Sequence, residues 1–192
     1  AHFFEHAFGR VPLRDLPPSW FMSVLHLRRP TYTRFAKRTF DVICASIALT
    51  LTAPLWPVIA ILVRLTPGPI IYRQTRVGEG GRHFTMFKFR TMRSDAEMGE
   101  AAYAAVGDPR VTRVGRVLRM THLDELPQLW NVLRGDMSVV GPRPERPEFI
   151  PMLEEAVPFF SRRLLIKPGV TGWAQLRADY SSDAKGAADK LS

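Results

Sequence analysis

Between His122 and Pro144 the chain reads HLDELPQLWNVLRGDMSVVGPRP, which sets two carboxylates, Asp124 and Glu125, side by side. Adjacent carboxylates have three ordinary uses: capping a helix, holding a divalent cation, or attacking an electrophile. Asp124 precedes an apolar-periodic stretch with Pro127 in its first turn, so capping alone would account for it. The surrounding cations shift that balance. Lys88, Arg90, Arg119 and Arg143 each lie in or beside a turn-bounded motif. Gathered into one pocket they would suit a diphosphate, whose oxygens match guanidinium forks; taken singly, each is solvated surface charge. A helix N-terminus at Asp124 would add its own partial positive charge.

The elements that must position these groups are legible in outline. IIYRQTRV, GEGGR and HFTMFKFRTM read as two strands joined by a glycine-rich turn, and alternation puts Phe87 and Phe89 on one face, Lys88 and Arg90 on the other. Those two cations are therefore expected side by side. Ser94-Asp95-Ala96-Glu97 has the form of a capping box, which starts a helix through GEAAYAAV. A second helix is expected in TRVGRVLRM, with Arg113, Arg116 and Arg119 as a basic ridge. A third follows Asp124 and stops at Gly135; beyond it lie GPRPERPEF, a helical stretch through MLEEAVPFF and the glycine-bearing loop KPGVTGWAQ. No internal repeat or low-complexity tract interrupts the chain.

Upstream, Val42 to Val63 is a stretch of about 22 residues without a charge, long enough by rule to cross a bilayer. Pro54 and Pro57 fall near its middle and predict a sharp kink. Arg34, Lys37 and Arg38 flank it on one side, Arg64, Arg73 and Arg76 on the other. Positive charge marks the cytoplasmic side of a membrane segment, so both ends are expected on one side. A limb of about 12 residues is roughly 18 Å long as helix, about one leaflet. The favoured reading is a helix that enters the membrane, breaks at Ala53-Pro54 and returns; a buried core helix and a plain span are the alternatives. Asp41, at the mouth of the run, is placed to pair with Lys37 or Arg38.

Composition bounds the rest. With 192 residues, 46% of them hydrophobic, there is material for one domain and an appendage. The net charge of +9 points to a polyanionic partner: nucleic acid, an anionic membrane or a phosphorylated small molecule. The single cysteine, Cys44, excludes an internal disulfide, no Cys or His cluster has the spacing of a zinc site, and the opening AHFFEHAFGRV does not read as a secretory signal. Residues 1–33 read as a linker from an absent upstream domain, 34–66 as the re-entrant membrane helix, and 67–192 as a cytosolic domain. The expected class is α+β, mostly helical, with a small antiparallel hairpin and the proline-broken helix.

LDELPQLWNVLRGDMSVVGPRP, with KFRTM upstream and KPGVTGWAQ downstream, closely resembles the bacterial sugar transferases, the monotopic phosphoglycosyl transferases that load a sugar phosphate onto a polyprenol phosphate. The resemblance runs from about Tyr32 to the end, with several motifs in order. It implies a catalytic dyad at Asp124 and Glu125, magnesium held by Glu125, and phosphate contacts from Lys88, Arg119 and Arg143, with Arg90 a weaker candidate. It also implies a re-entrant helix broken at Pro54. Asp124 would attack the sugar-linked phosphate of a UDP-sugar, release UMP and carry the sugar phosphate until undecaprenyl phosphate takes it.

By the same resemblance the chain works on one leaflet, at the cytoplasmic face of the bacterial inner membrane, without nucleic acid, and pairs as a homodimer. Two departures are visible: Ala53 stands where smaller members carry serine, and Leu176-Arg177-Ala178-Asp179 replaces the usual Asn-Gly. The YSSDAKGAADKLS ending and the GRVPLRDLPPSWF entry resemble large exopolysaccharide-type members, of which this chain is expected to be the catalytic part, short of their C-terminal helices.

Two rivals remain on sequence alone. One is a membrane-anchored basic module without catalysis. The other keeps the transfer but makes Asp124 a general base in a ternary complex.

Overall fold

The computed structural model describes residues 31–94, 108–157 and 159–172. Helix α1 (Thr31–Thr52) ends at Ala53-Pro54, and α2 (Leu55–Arg64) leaves at an angle of 66°. Only one of the two prolines breaks the helix. Pro54 precedes α2, where its ring blocks continuation of α1, whereas Pro57 falls in the first turn of α2, where an N–H would have no helical partner anyway. Thr50 and Thr52 also turn their hydroxyls back onto the Ser46 and Ala48 carbonyls, a habit that favours bending.

No single described helix is long and apolar enough to cross a membrane, but the bent pair passes that test together. Phe40, Ile43, Ile47 and Leu51 on α1, and Leu55, Val58, Ile61 and Leu62 on α2, lie exposed. That is a continuous run of apolar side chains too large for an ordinary wetted surface.

Strands β1 (Ile71–Val77) and β2 (His83–Phe89) form the expected antiparallel hairpin, with Tyr72 opposite Lys88 and Val77 opposite His83. A 3₁₀ turn at Glu79–Gly81 closes it, with Gly80 and Gly81 at positive φ. Helix α3 (Arg113–Met120) is capped by Thr112, whose hydroxyl accepts from Gly115 N at 2.9 Å. Helix α4 (Gln128–Arg134) stops as predicted at Gly135, in the left-handed conformation at φ 91°.

Helix α5 (Ile150–Ala156) occupies the MLEEAVPFF stretch and ends before Val157. Strands β3 (Ser138–Val140) and β4 (Gly169–Thr171) pair in parallel, so the KPGVTGWAQ segment, read from sequence as a loop, contributes a strand. The helix expected from the capping box at Ser94 lies largely outside the described residues.

Two apolar clusters hold these elements together and meet at Leu126. Ala45 of α1 packs with Met86, Leu129, Val132 and Met137; Ile59 and Val63 of α2 pack with Phe89 and Leu118. Trp56 adds an edge-to-face contact on Phe89, centroids 5.3 Å apart. Buried Asn131 staples α4 to the hairpin: its Oδ1 accepts from Phe87 N, and its Nδ2 donates to Thr85 O and Asp136 Oδ2. Because Asn131 fixes β2 one residue from Lys88, that lysine is set against the turn that precedes α4.

The polar end of α1 is fastened as firmly. Asp41 is buried; its Oδ1 accepts from Lys37 Nζ at 2.7 Å, Ser138 Oγ at 3.0 Å and Val139 N at 3.0 Å. Lys37 also donates to Ser138 Oγ. Arg38, the alternative partner for Asp41, instead donates to the Val132 and Leu133 carbonyls at the C-terminal end of α4. There a cation meets unsatisfied helix carbonyls and the negative end of the dipole.

Candidate active site

The carboxylate pair sits in a 3₁₀ turn, Leu123–Glu125, between α3 and α4. His122 enters that turn at φ 56°, a left-handed backbone uncommon outside glycine, and its N–H bonds back to Arg119 O. The reversal ends α3 and turns the next two residues toward the hairpin. The capping role expected for Asp124 is not found: α4 begins one residue after Pro127 and has no side-chain cap. Pro127 supplies the start by its fixed φ, which leaves both carboxylates for other work.

Three separate segments bring cations to the pair. Lys88 Nζ on β2 donates to Glu125 Oε1 at 2.7 Å, and Arg143 Nη2 donates to the same oxygen at 3.1 Å. Arg143 rides on the Gly141–Pro144 turn, which is held from all sides. Gly141 N bonds to Thr171 O, Gly169 N to Pro142 O, Arg76 Nη1 to Pro144 O and Arg163 Nη2 to Arg143 O. Gly141 is required there, since a Cβ on it would lie 2.4 Å from Lys167 O. Arg119, from the last turn of α3, donates through Nε to Thr91 Oγ1 at 2.9 Å, near enough to Asp124 for its charge to favour the carboxylate form.

The two carboxyls are driven in opposite directions. Burial pushes Asp124 above its ordinary value, and the Glu125 charge adds to this against the pull of Lys88 and Arg119. Burial also pushes Glu125 upward, but Lys88 and Arg143 outweigh it and hold that carboxyl down at about 2. Lys88 itself is lowered, first by burial and then by Arg143, against the attraction of Glu125. Neighbouring groups pushed apart in this way mark a site in which one stays a fixed charge and the other changes state or reacts.

A match to the bacterial sugar transferase family covers residues 32–191. The chain belongs to that family. Among curated relatives it is similar to the UDP-N-acetylgalactosamine-undecaprenyl-phosphate N-acetylgalactosaminephosphotransferase of Aeromonas hydrophila, 44% identical over 94% of this chain and 42% of the relative. It is also similar to the UDP-glucose:undecaprenyl-phosphate glucose-1-phosphate transferase of Caulobacter vibrioides, 47% identical over 73% of this chain and 53% of the relative. The chain thus spans about half the length of these two relatives or less. Their names agree on the lipid acceptor and differ in the sugar.

In this sugar transferase chain two sequence expectations need correction. Arg90 is not beside Lys88: β2 ends at Phe89, and the guanidinium of Arg90 is buried against the end of α2. There Nη2 donates to the Val63 and Thr66 carbonyls and Nη1 to that of Pro67. A strand's alternation ceases where the strand does. Nor do Arg113, Arg116 and Arg119 form one ridge. Each step of three residues falls about 60° short of a full helical turn, so Arg119 rotates inward to Thr91 while the other two stay exposed.

Sequence reasoning also passed over Arg76 and Gln128. Both line a small pocket with Met86, Lys88, Arg143, Pro144 and Gly169. For Gln128 the DELPQ run was a signal, but nothing in it tells a surface glutamine from a buried one.

Magnesium is compatible with the donor set. Among the described residues no group of three or more His, Cys, Asp or Glu side chains could cage an ion. Mg²⁺, however, is commonly held by one or two carboxylates, completed by substrate phosphate oxygens and water. Glu125 Oε1 is taken by Lys88 and Arg143, so Glu125 would offer its other oxygen.

Proposed function

We propose that the chain moves a hexose 1-phosphate from a UDP-sugar to undecaprenyl phosphate through a covalent intermediate on Asp124. The observation that carries this is the split between neighbours: Asp124 buried beside the charges of Lys88 and Arg119 without a side chain bonded to it among the described residues, Glu125 clamped between Lys88 and Arg143. In the first step an Asp124 oxygen attacks the sugar-bearing phosphorus. The bond from that phosphorus to the bridging oxygen breaks, and UMP leaves with the electron pair. In the second step a phosphate oxygen of the lipid attacks the same phosphorus and restores the Asp124 carboxylate. An acyl phosphate is reactive enough that the enzyme is not trapped between steps.

A carboxylate approaching a diphosphate meets like-charge repulsion, so the phosphate oxygens must be neutralised first. Lys88 and Arg143 stand beside the dyad, and Arg119, held through Nε alone among the described residues, would turn its terminal nitrogens to the phosphates. Mg²⁺ on Glu125 would supply further charge neutralisation. Lys88 and Arg143 also keep Glu125 ionised, so that it does not compete for a proton with Asp124.

Membrane association is supported by the exposed apolar faces of α1 and α2 and by basic flanks at both ends of the pair. The reading is a re-entrant anchor in one leaflet, at the cytoplasmic face of the bacterial inner membrane, which brings the site to the depth of a lipid phosphate. A homodimer rests on the resemblance to large members alone.

The test is covalent capture. Incubated in lipid with UDP-sugar and Mg²⁺ but no acceptor, the intact protein gains the mass of one sugar phosphate and releases UMP; Asp124→Asn does neither and still binds membrane. Normal turnover by Asp124→Asn would remove the nucleophile assignment. Turnover only when the acceptor is present, with the chain unmodified, would favour a general-base ternary path.

A further inference from the structure

Gln128 is the first residue of α4 and is 3% exposed, yet its Nε2 is buried without a hydrogen-bond partner among the described residues. One turn further along, equally buried Asn131 makes three hydrogen bonds with its carboxamide. The same helix therefore carries one amide fully satisfied by the protein and one left open. A buried amide left unbonded is destabilising, and native folds hold few such groups.

The surroundings say what the open amide awaits. Gln128 shares its pocket with Lys88, Arg143 and Arg76. Arg76 repeats the pattern: Nη1 donates to Pro144 O and Nη2 to Gln74 Oε1, while Nε is buried and unpartnered among the described residues. Glu145 stands 3.9 Å from Arg76 Nη1 and Glu125 pairs with Lys88 and Arg143, so three cations face two carboxylates around one recess. With two orphaned donors they leave a place for an anionic oxygen acceptor. Gly169 forms part of the wall, packed so closely on the Gly141 backbone that a Cβ would lie 2.1 Å from Gly141 N.

We infer that Gln128 and Arg76 are substrate-binding residues, whose side-chain N–H groups hold a phosphate oxyanion in the recess behind Lys88 and Arg143. This rests on the transferase reading for its choice of phosphate. The oxyanion belongs either to the donor diphosphate or to the acceptor monophosphate, and binding probes separate the two.

Gln128→Met and Gln128→Leu, near in volume and lacking the amide, are compared with the intact wild-type protein in detergent. Thermal shift is measured with inorganic pyrophosphate for the donor and geranyl phosphate for the acceptor. Both variants are expected to unfold at or above the wild-type temperature when free, because an unsatisfied amide has been removed. The response to one of the two probes should weaken about tenfold, a loss of about 1.4 kcal/mol. The probe that weakens names the phosphate.

Wild-type responses to both probes in either variant would overturn the assignment, as would a wild-type protein indifferent to both. A lower unfolding temperature with unchanged probe binding would make Gln128 merely structural. Arg76→Lys, which removes Nε while keeping charge, should reproduce the weakened response; if it does not, Arg76 is excluded. A wild type that binds pyrophosphate but releases no UMP from any UDP-sugar would instead defeat the transferase reading and leave the pocket standing.

Discussion

Glu125 Oε1 accepts from Lys88 at 2.7 Å and from Arg143 at 3.1 Å, whereas Asp124, the preceding residue, has no hydrogen bond to another side chain among the described residues. As the proposed nucleophile Asp124 would have to be ionised to attack, and burial raises its pKa. The acid limb of kcat/KM for UMP release should therefore lie above the ordinary carboxylate range. Because Lys88 pulls that pKa down, Lys88→Met should move the limb to higher pH as well as lower its plateau. An unmoved limb would mean that the limb reports a different group.

Folding stability should carry the opposite signature from Glu125. Its folded pKa of about 2 lies below the ordinary 4.5, so its stabilisation is complete above 4.5 and fades as pH falls toward 2. Asp124 has the reverse sign, since protonation relieves its burial. Urea midpoints taken down through that window should fall more shallowly for Glu125→Gln than for wild type.

Gly115 is expected to tolerate no side chain. A Cβ there would lie 2.0 Å from Thr91 O, the carbonyl that also accepts from Thr112 N. Alanine gains about 1 kcal/mol of helix propensity over glycine, but overpacking costs about 1–3 kcal/mol or more, and the backbone it strikes cannot rotate away. Gly115→Ala should lower the unfolding midpoint. It should also disturb Arg119, whose Nε bonds to the same Thr91.

Arg90→Lys should separate structure from substrate binding. One ammonium cannot reach the Val63, Thr66 and Pro67 carbonyls together, and each lost bond costs roughly 0.5–1.5 kcal/mol. Stability should fall while the KM for UDP-sugar holds. A raised KM at unchanged stability would return Arg90 to the phosphate site.

Asp41 anchors α1 to β3 through two donors, Ser138 Oγ and Val139 N, and pairs with Lys37 of its own helix. Asp41→Ala strands the Val139 amide, while Ser138 Oγ keeps Val140 O and Lys37, and breaking a buried pair typically costs about 3–5 kcal/mol. Because Lys37 keeps one side in water, the lower end applies. Chemical denaturation measures it, and vesicle flotation should show that membrane binding survives.

What could be read from the residues was local. Pro54 broke the helix where its ring forbids continuation, Gly135 ended α4 where left-handed backbone is needed, and GEGGR closed the hairpin. What could not be read depends on residues far apart in the chain. Three-residue strands at Ser138 and Gly169 give no periodicity, so their parallel pairing is invisible until both are placed. Arg90 and Gln128 show the same limit: their types suggested polarity, but whether a guanidinium meets carbonyls or an amide meets nothing is settled only by neighbours many residues away.

The 66° turn between α1 and α2 has one last corollary. A rod crossing a bilayer must match its thickness, tilting or stretching the lipid when it does not. On the re-entrant reading proposed above, an elbow that dips in and comes back, fastened through Asp41 and Arg38, would not meet the opposite headgroups. Its seat would then be gauged from the near surface only, so the same chain could ride in thick or thin membranes without altering the height of its site.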